Sequence, residues 1–112
     1  MLTLLLAAQI SFFIQLVHSL EELSTGFHKK WYLFTMPFWV FLTFEICFSL
    51  FWFICIFTDL FSNKVVLLHV FILLMFANGI QHLVWFGWSK KYNPGFITSL
   101  AHVGWFIFYY FT

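Results

Sequence analysis

The chain has 112 residues, of which 63% are hydrophobic and only 8% charged, with a formal net charge of +1. A soluble domain carries about 25% charged residues, so water is excluded as the main solvent and residues 1–112 are expected to form one integral membrane domain. The balanced charge leaves no basic patch, which argues against nucleic acid as a partner and for membrane lipid.

Four apolar runs come near the roughly 20 residues that a hydrocarbon core asks of a helix. They cover about residues 2–22, 37–57, 65–88 and 96–111. The predicted fold is an all-α membrane protein, a bundle of four transmembrane helices. Residues 2–17 of the first run carry no charge, and His18-Ser19-Leu20-Glu21-Glu22 follows at once. Placing such groups in hydrocarbon costs roughly 2.5–3.5 kcal/mol each, so they are expected to pair, to face water or to hold a ligand. Ala7-Ala8-Gln9 resembles a leader cleavage site, but no basic segment precedes it. Cleavage there would leave too little apolar chain to span, so none is expected.

The second run opens on Pro37, where a missing N–H is harmless, and carries Glu45 eight residues in, about 12 Å along the axis. Cys47 and Cys55 lie a similar axial distance apart, too far for a disulfide, and read as packing residues. Asp59, Ser62 and Asn63 make a polar turn before the third run, which carries His69, Asn78, Gln81 and His82. Asn93-Pro94-Gly95 opens the fourth, with Thr98, Ser99 and His102 in its first turns. That run is short and would span only with thinning or little tilt.

Lys29 and Lys30 stand in the first loop and Lys90 and Lys91 in the third, against Lys64 alone in the second. The positive-inside rule puts the first and third loops in the cytoplasm and both termini outside. The expected location is a bacterial inner (plasma) membrane. In this topology each helix places polar groups in its cytoplasmic half. Ala7, Ser11, Gln15, His18 and Glu22 repeat at helical spacing, as do Glu45 with Ser49, Asn78 with His82, and Thr98 with His102. Polar stripes in hydrocarbon turn inward, so one cavity is expected, lined also by Gln15, Asn78, Gln81 and Thr98. The bland alternative for Ser, Thr, Asn and Gln is interhelical hydrogen bonding, and for Glu21 a pairing with the loop lysines. His28 reads as a loop residue and His69 as structural.

His18-x-x-Glu21-Glu22, a later histidine for which His82 is the candidate, and Tyr92-x-Pro94-Gly95 follow one another in the order of the HXXEE-domain membrane proteins, which this chain resembles from its first helix into its fourth. The resemblance implies an architecture, key residues and a structural role for Tyr92, Pro94 and Gly95, but no reaction. Glu45 and His102 enter the site on depth and phase alone.

Four functions are open to such a site. A metal centre would use His18, Glu22 and His82, with His102 and Glu45 as further candidate ligands, for zinc or non-haem iron. It would act on a lipid-like or other apolar substrate. Metal-free acid–base chemistry would use His18, Glu21 and Glu22 as catalytic groups. Proton or ion transport is disfavoured by polar groups confined to one half of the bilayer, though a homo-oligomer would compensate. An accessory subunit of a larger membrane complex, with a satisfied polar network, is the remaining alternative.

Overall fold

The computed structural model describes residues 3–112, so the expected helix start at Leu2 lies outside the described residues. Five helices follow in order: α1 (Leu4–Thr25), α2 (Phe27–Lys30), α3 (Phe38–Phe57), α4 (Lys64–Ser89) and α5 (Phe96–Phe111). The described chain is all-helical and has no strand. The sequence pattern expects four helices, and the one-turn α2 is an addition within the first loop.

Local chemistry sets the boundaries. Thr3 caps α1, its hydroxyl accepting from the Leu6 N–H at 3.1 Å. Helix α1 runs past the expected end at residue 22, and in its last turn the Ser24 and Thr25 hydroxyls donate back to the Glu21 carbonyl, at 3.2 and 2.5 Å. It ends at Gly26, whose φ of +83° closes the last turn onto the Glu22 carbonyl. Pro37 precedes α3 and Gly95 precedes α5.

Helix α1 lies at the centre and packs against α3, α4 and α5; α4 packs on α1, α3 and α5, while α3 and α5 do not touch. One end of the bundle is filled with apolar side chains, among them Ala7, Ala8, Phe12, Trp52, Phe71 and Ile72. The buried Ala7 leaves room for the Trp105 indole to donate to its carbonyl at 3.0 Å. Helices α4 and α5 cross closely at Gly79, where a Cβ would stand 2.9 Å from both the Ser99 carbonyl oxygen and the Val103 side chain. Large apolar residues cover the outside, including Phe13, Leu20, Trp39, Leu50 and Phe108. Contiguous apolar surface on this scale marks a membrane or protein interaction surface.

Helices α1, α3 and α4 are long and apolar enough to cross a membrane. Helix α5 is apolar but has 16 residues, about 24 Å against a hydrocarbon core of about 30 Å. Both cysteines are free, Cys55 buried and Cys47 exposed.

Candidate metal centre

His18 and Glu22 stand one turn apart on α1, and His82 faces them from α4. Both imidazoles are fully buried and Glu22 is 4% exposed. Glu22 Oε2 lies 3.4 Å from His18 Nε2 and 3.2 Å from His82 Nε2. The ring centroids of the two histidines are 4.8 Å apart. One ligand atom from each residue falls within 4.8 Å of the others, so the group could hold a metal ion. Donor atoms around a tetrahedral zinc with bonds near 2.1 Å stand about 3.4 Å apart, which the two His–Glu separations match.

Hydrogen bonds around the group decide where the imidazole protons sit. Asn93 Nδ2 donates to the His82 carbonyl at 3.1 Å, which turns Asn93 Oδ1 toward His82 Nδ1 at 2.8 Å. His82 Nδ1 is then the donor, and the neutral ring keeps its lone pair on Nε2. That nitrogen is buried and has no hydrogen-bond partner. Thr98 Oγ1 donates to Glu21 Oε1 at 2.6 Å and so accepts from His18 Nδ1 at 2.7 Å. On the other side, the Trp31 indole donates to Gln81 Oε1 at 3.4 Å and Gln81 Nε2 to Asn78 Oδ1 at 3.1 Å. This leaves Asn78 Nδ2 as donor to His18 Nε2 at 3.2 Å. The His82 Nε2 lone pair thus faces Glu22 Oε2 with no donor on it, while the His18 Nε2 lone pair takes Asn78 Nδ2 and has Glu22 Oε2 beside it at 3.4 Å. A bare imidazole lone pair and a carboxylate oxygen at 3.2 Å repel unless a proton or a cation lies between them.

The Tyr92-x-Pro94-Gly95 segment closes this centre. Asn93 and Pro94 are buried, and Gly95 adopts φ +95°, a conformation that side chains rarely adopt. A Cβ there would lie 2.7 Å from His82 Cε1, 2.8 Å from His18 Cε1 and 2.9 Å from Glu22 Cγ. Only backbone without a side chain fits against the two rings.

Glu21, a catalytic candidate from the sequence, is engaged away from the His82 ring. Its carboxylate accepts from the Thr98 N–H at 2.9 Å, the Ile97 N–H at 3.2 Å and the Tyr92 hydroxyl. It caps the N-terminus of α5, where a negative charge also suits the helix dipole. Partial burial, then the adjoining carboxylate, holds the Tyr92 phenol above its ordinary value, so it remains a donor. Glu21→Ala is expected to cost about 1–3 kcal/mol by stranding these donors. The check is a chemical-unfolding midpoint in mixed micelles; a midpoint within error of wild type would refute the capping role.

Glu45 and His102, the further candidate ligands, stand outside the converging set. Glu45 Oε2 accepts from Ser19 Oγ at 2.5 Å, Ser19 accepts from Gln15 Nε2 at 3.2 Å, and Gln15 Oε1 accepts from His102 Nε2 at 2.9 Å. This chain of partners runs through α1 between α3 and α5. His102 comes within 5.4 Å of His18, centroid to centroid. Glu45 and Glu22 both line a cavity of about 640 Å³ that also takes in Gln15, Asn78 and Gln81. Thr98, expected in the wall, is not part of it, and neither are His18, His82 and His102. The rest of the wall is apolar, from α2, α3, α4 and residues 31–36, with Phe27, Trp31, Phe41 and Phe44 prominent.

His69 is exposed and bonds the Tyr110 hydroxyl at 2.6 Å, away from the centre. His28 is buried in α2, edge-on to Phe38, with its Nδ1 unpartnered; the loop reading understated its burial. The sequence reading passed over Asn93 and Ser19. Asn93 is the unassigned position of its motif and lies outside any helix, where periodicity is silent. Ser19 lies about 100° from His18 on α1 and reaches Glu45 from the edge of the stripe.

A family model described as "Protein of unknown function with HXXEE motif" matches residues 9–110. No curated protein and no solved structure matches the chain. The chain belongs to the HXXEE family.

Proposed function

We propose that this member of the HXXEE family is a metal-dependent membrane enzyme. Its zinc or non-haem iron would be held by His18, Glu22 and His82 near the cytoplasmic face, and its substrate would be a lipid-like molecule. The supporting observation is the convergence of two Nε2 atoms on Glu22 Oε2, at 3.4 and 3.2 Å, each ring aimed by a partner on its Nδ1. Histidine ligands are typically oriented in this way by an outer hydrogen bond. Two imidazoles and a carboxylate suit either metal, and a bound ion would supply Lewis acidity and a more acidic water.

The protein residues supply position and a dry site. Thr98 and Asn93 hold the rings, Gly95 covers them, and Glu22 brings the centre to the edge of the cavity. Apolar walls exclude water and receive a substrate that arrives from the hydrocarbon. Helix α5 acts as the fourth span, its apolar outer face carrying Ile97, Leu100, Ile107 and Phe108, with local thinning of the bilayer making up its length. Lys29, Lys30, Lys90 and Lys91 stand on the cytoplasmic side.

One observation favours metal-free acid–base chemistry instead: Asn78 Nδ2 already meets the His18 Nε2 lone pair. A proton shared between Glu22 and His82 would then relieve the repulsion. Cobalt substitution separates the two. The metal reading expects one cobalt per chain with the intense visible absorption of a low-symmetry site. Asn93→Ala and Thr98→Val are each expected to weaken its affinity about 10–100-fold. Cobalt that binds equally to wild type and to both variants would reject the assigned centre.

A further inference from the structure

The Glu45 carboxyl is 94% buried, since its residue is 6% exposed, and only one of its oxygens has a partner, the Ser19 hydroxyl. The other makes no hydrogen bond among the described residues, and Glu45 lines the aromatic cavity. No lysine or histidine lies within ion-pair distance of it among the described residues; the pairs formed are those of Glu22 with its two histidines and of Asp59 with Lys64. A carboxyl oxygen left without a partner in an apolar cavity wall favours an occupant that brings a donor. Ser19 already holds one oxygen, which leaves the other for a donor on whatever occupies the cavity.

The cavity describes the rest of the ligand. Its volume of about 640 Å³ suits an amphiphile of ordinary size. Its polar residues, Gln15, Glu22, Glu45, Asn78 and Gln81, come from α1, α3 and α4, and aromatic and aliphatic side chains make up the remainder. Val40 and Phe44 on α3 and Leu74 on α4 belong both to its wall and to the exposed outer surface. An apolar body can therefore enter sideways between α3 and α4.

Charge selects the head. A doubly charged ion at the proposed centre is balanced by Glu22 and Glu45 together, so a neutral donor fits better than a cation, and a carboxylate would meet Glu45 unfavourably. We propose that the cavity binds a long-chain or polycyclic alcohol, its hydroxyl donating to the free oxygen of Glu45. The hydroxyl, as distinct from the binding of an apolar body in general, rests on Glu45; its neutrality rests on the metal reading.

The test uses full-length protein in zwitterionic nanodiscs, metal-loaded with zinc, with bound ligand counted by native mass spectrometry. Dodecanol, dodecyl methyl ether and dodecylamine are supplied at equal mole fractions. Wild type is expected to hold the alcohol at least about tenfold better than the ether, and Glu45→Leu to hold both equally while keeping its zinc. Equal retention of alcohol and ether by wild type would overturn the proposal, as would an alcohol preference that survives in Glu45→Leu. Chelated protein that prefers the amine, and loses that preference in Glu45→Leu, supports Glu45 as the head-group acceptor. A wild type that takes up no zinc but shows the same amine preference keeps that acceptor role, and overturns the metal reading and the neutral head with it.

Discussion

His18→Ala and His82→Ala are each expected to lose more than about 100-fold in zinc affinity, because loss of an outer-sphere partner alone costs 10–100-fold and a ligand matters more. His102→Ala should retain the ion. Its imidazole approaches the His18 ring but donates to Gln15, outside the set of converging ligand atoms. This contrast separates a specific centre from a general affinity of histidine for zinc. Competition against a chromogenic chelator, with helicity monitored by circular dichroism, checks it. Equal losses in all three variants would mean that the ion follows the fold and not the ligand set.

Gly95→Ala should be the most damaging of the small substitutions. The left-handed backbone at φ +95° costs a non-glycine residue about 1 kcal/mol or more. The new methyl would also press on both imidazoles and on Glu22, at 2.7–2.9 Å from their nearest atoms. Rings held by Asn93 and Thr98 cannot turn aside without breaking those bonds. The combined expectation is about 2–4 kcal/mol of lost stability together with loss of zinc. Gly104→Ala is the control, since a Cβ there meets nothing within 4 Å. A Gly95→Ala variant with wild-type unfolding midpoint and zinc affinity would show that the segment does not close the centre as described.

The sequence carried the site through periodicity. Residues 18 and 22 share a face of α1 and residue 82 lies at matching depth on α4, so arithmetic on a helix was enough to group them. Glu21 was harder to read, because its neighbour is a cavity residue and only the arrival of α5 shows that it caps Ile97 and Thr98. Asn93 and the one-turn α2 lie between the long helices, where hydrophobic spacing gives no phase. His102 and Glu45 have the depth and face expected of them, yet Gln15 and Ser19 take up the atoms nearest to them. Which of two neighbouring polar groups a side chain bonds is decided by rotamers and small helix shifts that composition and spacing do not encode.

The cluster also bears on why so small a chain places four histidines and two acids in its interior. Apolar residues of similar size would pack there at lower cost. The outer bonds from Thr98 and Asn93 specify the direction of two lone pairs, which packing alone has no use for. Such specification fits the metal centre proposed above.

The most direct measurement is the metal content of the wild-type protein, purified in mild detergent without chelators and counted per chain by elemental mass spectrometry. The centre described here predicts one zinc or iron per chain, removable by chelator and restored to the same stoichiometry on adding the metal back. A protein that arrives without metal, and takes up neither zinc nor iron(II) at micromolar concentrations while remaining folded, would contradict it.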